Sequence, residues 1–484
     1  MSLISALSIA TGGLANVNSQ LGVVSQNVSN ANTAGYTREI GQQTAMSGGG
    51  QGMGVRTGTT VRSVDAELQA EAWQQDAAVA AMTVRAQALS AVDAANGTPG
   101  QGNDLASLTG ALSNAFATLS ADPSSTAEQT AVVTAARSLA SGINGVAQAV
   151  GTQRQAAQDS ISQDLIQLNA ALATIGTLSR QISTATHEGT STAALEDQRD
   201  TAMSTVAQLT GATLLKQANG DVQVILPAGT TLPTDGSESL RITDSQLSPQ
   251  TAAPPVTLNG KDITAQLTAG RIGANLGLRD AGLPTFQAEL DEFSNNLTQR
   301  FSQAGLDLFT DPSPPAATAP PAQAAYLGLA NRIAVNPAVA SNPAKVQQGT
   351  GLFATGASDQ TVINNVLSQT FGPVPASTAA PPLVTGLGLS GTLAMPFARP
   401  PTLASFAATV VATQTSASSA ASADLANAQA VQTTLNSKVA AVSGVSVDTE
   451  MSTMIGLQNA YSANARIITA VNDMWTTVLH MGGG

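Results

Sequence analysis

Two apolar stripes at heptad spacing, one at each end of the chain, restrict what it can fold into. Leu3, Leu7, Ala10, Leu14, Val17, Leu21, Val24 and Val28 advance in alternating steps of four and three, the spacing that keeps an a/d seam on one side of a helix. Val447, Met451, Met454, Gln458, Tyr461, Ala465, Ile468, Asn472, Trp475 and Leu479 take the same steps at the far end. No charged side chain falls between Met1 and Thr37. A lone helix with one apolar stripe does not repay the entropy of ordering its backbone, because helices in water are held mainly by tertiary packing. The N-terminal helix therefore needs the C-terminal helix, neighbouring subunits or both, and folding should be coupled to assembly. An ordinary helical hairpin inside one globular domain would satisfy the same periodicity.

Composition narrows the function. The chain has 484 residues, enough for about two to four domains. Only 10% of them are charged, against about a quarter in a typical globular protein. With a net charge of -12 there is no basic stripe to neutralise phosphates, so nucleic acid and anionic membrane surfaces are not expected as partners. Cysteine is absent, which removes disulfides, thiolate metal sites and cysteine catalysis. The N-terminus has no cation before its apolar residues and no small-residue cleavage site, so a cleavable secretory signal is not expected. Nor does any apolar stretch reach the length of a membrane span without Ser, Asn, Gln or Gly interrupting it.

Along the chain, Asn27-Val28-Ser29-Asn30-Ala31-Asn32-Thr33-Ala34-Gly35-Tyr36-Thr37-Arg38 is dense in residues that cap helices and tolerate turns, and it ends the first helix. The glycines from Gly48 to Gly54, with strand-type valines at Val55 and Val61, predict an extended connector. Helical patterns run from Ser63 to Ala95 and from Ser125 past Ile182, with a short helix from Leu105 to Leu119. Texture changes near Gly211. Thr213 to Leu226 reads as a hairpin turning at Asn219-Gly220, and short strands are predicted at Leu240–Thr243, Val256–Gly260 and Ile272-Gly273. Helix returns from Thr285 to Phe301 and from Thr402 to Val442. Between them lie a Pro-rich loop from Asp311 to Pro321, a loosely helical insert from Tyr326 to Phe371 and a Pro/Gly-rich stretch from Gly372 to Pro401.

The predicted fold is mainly α with β-rich inserts: paired N- and C-terminal coiled-coil helices, an elongated helical bundle and outer β-containing domains. The expected divisions are 1–60 with 443–484 for the terminal helices, 61–210 with 282–310 and 402–442 for the bundle, 211–281 for a β-rich insert, and 311–401 for outer loops.

No catalytic constellation stands out. Gly386-Leu387-Gly388-Leu389-Ser390-Gly391 has the dinucleotide-binding pattern but sits in a Pro-flanked loop, with no helix N-terminus for a pyrophosphate. The two histidines, His187 and His480, read as surface residues near helix ends. Glu196, Asp197 and Asp200, beside Arg199 on a predicted helix, read as a solvated face, although two carboxylates suffice for a glycosidase. No metal, cofactor or catalytic residue is expected.

The Asn-rich segment from Asn27 to Tyr36 resembles the signature near the N-terminus of bacterial flagellar axial proteins, the rod, hook and hook-associated set. Tyr36-Thr37-Arg38 is similar to the Gly-Tyr-Ser/Thr-Arg form of the hook-associated protein 1 family, and Ser443 to Met451 with Gln458 to Ile468 resembles that family's closing motif. Ile272 to Asp280 and Ile333 to Pro337 look like further pieces of it, whereas Thr449 stands where the family commonly has an acidic residue. The resemblance implies a non-enzymatic protein between hook and filament, exported unfolded by the flagellar type III system and extracellular in the flagellum. It implies self-association into a ring or tube, with hook protein and the second junction protein as neighbours and an export chaperone on the C-terminal helix. Expected assembly residues are Leu3, Leu7, Leu14, Val17, Leu21, Val24, Val28, Met451, Met454, Tyr461, Ile468, Trp475 and Leu479. Asn27, Asn30, Asn32, Gly35, Tyr36 and Arg38 would set the turn leaving the inner helix. Another axial protein is the nearest alternative, and a secreted muramidase is the one from a different class.

Overall fold

The computed structural model describes residues 3–48, 51–98, 100–217, 219–314, 322–351, 359–373 and 382–481. Helix α1, Leu3–Asn30, contains no acidic residue in its first turn and no basic one in its last, so packing rather than its dipole must hold it. It stops in the Asn-rich turn, where Gly35 takes φ +79°, a left-handed conformation that suits glycine. Strands β1, Glu39–Gly48, and β2, Gln51–Arg62, then pair antiparallel with Glu39 opposite Arg62 and Ile40 opposite Val61. Of the glycines read as an extended connector, Gly48, Gly52 and Gly54 thus belong to a long hairpin, and Gly49 and Gly50 lie outside the described residues. Its register shifts between Gly41 and Gln43 and between Met46 and Ser47, bulges that add twist and bend the ribbon. Gly54, at φ +106°, lies against Ile9 of α1.

Helix α2, Ala66–Asn96, opens where Asp65 accepts from the Glu67 and Leu68 amides, both at 3.1 Å. Asp104 caps α3, Leu105–Ala121, through the Ser107 amide. Next come α4, Thr126–Glu188, at 63 residues, and α5, Ala193–Thr210. Gly211 ends α5 at φ 64°, which puts the change of texture at a left-handed cap. Two three-stranded antiparallel sheets follow. One joins β3, Thr213–Lys216, to β4, Val222–Ile225, and β5, Thr231–Leu232; the other joins β6, Leu240–Arg241, to β7, Thr257–Leu258, and β8, Lys261–Asp262.

Ile272 and Gly273, expected in a strand, lie in helix α6, Gly270–Gly277. A Cβ on Gly273 would come 2.5 Å from the Thr268 carbonyl carbon, so the glycine there serves close backbone packing rather than an extended chain. One π turn, Leu278–Gly282, leads into α7, Leu283–Gln303, which carries Pro284 in its first turn. Short elements succeed it: β9, Phe309–Thr310, pairs with β10, Ala334–Val335, and helices α8, Pro337–Ala340, α9, Lys345–Gln348, and α10, Thr361–Asn365, follow. Strands β11, Thr385–Leu387, and β12, Leu393–Ala394, form a hairpin. Most of the Pro-rich loop expected from Asp311 to Pro321, and part of the stretch from Gly372 to Pro401, lie outside the described residues. Helices α11, Leu403–Ser443, and α12, Val447–Met481, close the chain.

Two compact units emerge. The first comprises Met1–Ala78, Gln167–Ser239 and Gln429–Gly484, and the second Val79–Ile166 and Leu240–Ala428. All nine phenylalanines fall in the second unit's segments. There Phe116, Phe293, Phe301 and Phe406 are fully buried among Leu112, Leu119, Leu139 and Ile143. Their rings meet at 5.8 Å for Phe116 with Phe301 and at 5.5 Å, edge to face, for Phe293 with Phe406. Rings of this size contribute large apolar area and geometric specificity to a core. The first unit, with no phenylalanine, relies on small residues, hydrogen bonds and ion pairs.

Candidate assembly interface

Helix α1 packs along α12. On α1 the seam positions Ala10, Val17 and Val24 are buried, and Leu3, Leu7, Leu14, Leu21 and Val28 are half-buried. On α12, Met454 and Ile468 are half-buried, while Met451, Tyr461, Trp475 and Leu479 are exposed. The covered stripe of α12 runs through Met454, Leu457, Asn464, Ile468 and Val471, with Ala465 half-buried beside it. It keeps Met454 and Ile468 of the predicted seam but takes Leu457 and Val471 in place of Gln458 and Asn472, one residue later, which are exposed. At the contact Gly13 faces Asn464, whose side chain would lie 3.1 Å from a Cβ at that position. Glycine there lets the two helices approach.

Much apolar surface stays uncovered. Val447, Met451, Ile455, Tyr461, Ile467, Met474, Trp475, Val478, Leu479 and Met481 on α12 are all exposed, Trp475 at 47% and Leu479 at 61%. Ile4 of α1 and Ile40, Met46, Met53 and Val61 of the hairpin add to them. Exposed apolar side chains in this number along one helix mark a candidate interaction surface.

The Asn-rich turn is a hydrogen-bonded hub. Asn27 is 1% exposed. Its amide nitrogen donates to the Glu39 carbonyl at 2.9 Å, and its amide oxygen accepts from the Tyr36 hydroxyl at 2.8 Å and from the Glu39 amide at 2.9 Å. One buried side chain therefore locks the end of α1 to the start of β1. Asn30 donates to the Gln26 carbonyl and accepts from the Thr33 hydroxyl, Asn32 is exposed, and a Cβ on Gly35 would touch the Thr201 hydroxyl at 3.0 Å. Arg38 reaches the last helix, its Nε 2.6 Å from Glu450, which is 1% exposed. The Arg38 amide also donates to the Ser443 carbonyl at 2.8 Å, and the Ser63 hydroxyl to the Val442 carbonyl at 3.1 Å. Beyond this turn, Asn16 donates to Gln43 at 2.7 Å, tying the middle of α1 to β1.

Asp197, Arg199 and Asp200 are buried, which corrects the reading of that helix face as solvated. Arg62, at the end of β2, holds Glu196 at 2.9 Å, Asp197 at 2.7 Å and Asp200 at 2.9 Å. Lys216 binds Asp200 from β3 at 2.9 Å. Asp197 accepts in addition from the Thr37 amide and hydroxyl, at 3.1 and 2.6 Å. Burial opposes the charge on Arg62, but the surrounding carboxylates outweigh it and hold the guanidinium above its ordinary pKa. Burial, with Asp197 nearby and Arg62 partly offsetting both, pushes the Glu39 carboxyl up. Tyr36 is likewise raised, first by burial and then by the negative field of Glu39, Asp197 and Glu450. The clasp joins residues 135 positions apart, and the only hint of it in the sequence is a scarce arginine at each end of the hairpin, Arg38 and Arg62.

The remaining candidates do not converge. His187, in the last turn of α4, is exposed and contacts the Ser183 carbonyl; His480 is exposed in the last turn of α12. Gly386, Gly388 and Gly391 take φ of 75°, 77° and 68° around the β11–β12 hairpin, away from any long helix start. Among the described residues no cluster of three or more His, Cys, Asp or Glu side chains is placed to hold a metal, and no helix is long and apolar enough to cross a membrane.

Two family models match the sequence. The helical domain of the flagellar hook-associated protein FlgK matches residues 89–312, and the C-terminal region of the flagellar basal body rod FlgEFG proteins matches residues 438–481. The second spans the end of α11 and all of α12. Among solved structures, the flagellar hook junction protein FlgK from Burkholderia pseudomallei is 21% identical, with 51% of this chain and 47% of that chain covered and a TM-score of 0.43. The match thus spans about half of that protein's length. No curated protein matches the sequence.

Proposed function

We infer that this chain, whose helical domain matches the model of the flagellar hook-associated protein FlgK and whose C-terminal helix matches that of the flagellar rod FlgEFG proteins, is a structural protein that joins the flagellar hook to the filament. The observation that carries the reading is the terminal pair itself. Helices α1 and α12 pack together yet leave Met451, Ile455, Tyr461, Trp475 and Leu479 exposed, a surface suited to further helices. Residues 1–60 with 443–484 form the inner, tube-building part, in which Leu7, Leu14 and Leu21 hold α1 on α12, and Tyr461 and Trp475 face neighbouring copies. The Asn27 hub and the Arg62 clasp fix the angle at which the hairpin leaves α1, so copies present the same geometry to one another. The role is mechanical and non-enzymatic.

Adjacent components of the axis, the hook protein and the second junction protein, are the expected neighbours in an extracellular flagellum. Export unfolded through the flagellar type III channel fits a chain with no cysteine and few core aromatics near its ends. A chaperone covering the exposed face of α12 before export would keep that surface from aggregating. Replacing Leu14 with Asp puts a charge in the α1 seam and should leave the second unit folded while preventing incorporation. Motile cells with attached filaments in that strain would contradict the assignment. Immunogold labelling of isolated flagella separates a junction location from hook, rod or filament tip.

A further inference from the structure

The Gly388-Leu389-Ser390 segment, which carries the dinucleotide-like pattern, lines a cavity of about 360 Å³ in the second unit. We propose that this cavity binds a small amphipathic carboxylate, its apolar body against Val150, Leu327 and Leu393 and its head on Arg154. The volume lies within the range of about 300 to 1,000 Å³ usual for small-ligand pockets, and toward the end too small for a folded protein segment.

The walls are tied to one another. Gln250 donates to the Leu327 carbonyl at 2.6 Å, Gln323 donates to the Ala288 carbonyl at 2.9 Å, and the Gly388 amide donates to Gln323 at 2.5 Å. Arg154, from α4, gives Nε to the Arg279 carbonyl at 3.0 Å, Nη1 to the Ser248 carbonyl at 2.8 Å and Nη2 to the Thr251 carbonyl at 3.4 Å. These bonds use three of a guanidinium's five N–H groups and leave one on each terminal nitrogen, and a carboxylate is the group whose two oxygens can take both.

Charge favours an anion at that fork. Arg279 is neutralised by Asp280, which accepts from its Nε at 2.7 Å and its Nη2 at 2.8 Å, and it gives Nη1 to Gln158. Asp262, which also lines the cavity, is exposed. The hydrogen-bond partners of Arg154 are neutral carbonyls and Asp280 acts on it only through space, so its guanidinium is the cation of the lining that a ligand can still hydrogen-bond. Burial pushes its pKa down, with Arg279 adding to the effect and Asp280 opposing it, and a bound carboxylate would relieve that cost.

The test is calorimetric titration of the full chain with decanoate, decanol and decyltrimethylammonium, each below its micellar concentration. Decanoate should bind saturably at one per chain and at least about tenfold tighter than decanol, as a charge-assisted fork requires. Arg154→Gln should bring decanoate to the affinity of decanol, and Ala253→Trp, which fills the cavity, should abolish binding of both. Equal affinity for decanoate and decanol in the unaltered chain, no saturable decanoate binding, or unchanged binding in Ala253→Trp would each overturn the proposal. Should Arg154→Gln lose its circular dichroism signal, the unaltered chain and Ala253→Trp decide the matter alone.

Discussion

Single buried polar side chains hold both units in shape, and each makes a sharp prediction. Asn27 satisfies the Tyr36 hydroxyl and both backbone groups of Glu39. Its replacement by Ala would leave those groups buried and unpaired, at a cost of about 1–3 kcal/mol each where water cannot reach them. Asn27→Ala should therefore lower the melting temperature of the first unit and speed amide exchange at Glu39, and an unchanged exchange rate would remove the hub from the account. Arg62→Ala would strand Asp197 and Asp200 without their main counter-charge, a loss on the order of 3–5 kcal/mol for a buried ion pair. Limited proteolysis should then cut the β1–β2 hairpin faster in the variant. In the second unit Glu289 is fully buried, and desolvation lifts its carboxyl from 4.5 to about 8, a little offset by Gln414. A carboxyl raised on folding contributes stability that is whole below the unfolded pKa and is lost as pH rises through the folded one. Wild-type stability should fall between pH 4.5 and about 8, and Glu289→Gln should remove that fall by on the order of a few kcal/mol while changing little at the acid end. Parallel pH profiles of melting temperature for the two proteins would contradict the assignment.

At the scale of elements, the terminal helices were legible because apolar spacing on a helix reports directly which face needs cover. All eight α1 seam positions are buried or half-buried. On α12 the register is only partly legible: Met454, Ala465 and Ile468 are half-buried as the heptad predicts, but Gln458 and Asn472 are exposed and Leu457 and Val471, one residue earlier, are covered instead. Nothing in a single sequence says that Gly13 will sit on Asn464. The hairpin is illegible in the sequence for another reason. Strand β1 is mostly Gly, Gln, Thr, Ala and Ser, with Ile40 and Thr44 its only β-branched residues, and it is held from outside, by Asn16 and Asn27 of α1. Likewise the carboxylates of α5 looked solvated because the arginine that buries them lies far away in the chain. Tertiary partners, which local propensity does not encode, decided both cases. Gly13→Leu tests the helix contact: it should part α1 from α12, lowering the first unit's melting temperature while the second unit's transition stays in place.

Across the whole molecule, stability is distributed unevenly. Every phenylalanine lies in the second unit's segments, whereas the first unit exposes apolar side chains along α12 and the hairpin. Such a division suits a subunit with one self-sufficient unit and one completed by its neighbours. Trp475→Asp would leave α1 on α12, since the indole is exposed and outside the covered stripe, and should abolish polymer formation with no loss of monomer melting temperature. The most direct measurement is amide exchange on the dilute monomer and on the assembled polymer. Residues 3–40 and 445–481 should exchange faster in the dilute monomer, where α1 and α12 cover only each other, than in the polymer, while the second unit is protected equally in both. Equal exchange of both ends in monomer and polymer would show that the termini gain nothing from neighbours, and would contradict assembly through the paired terminal helices.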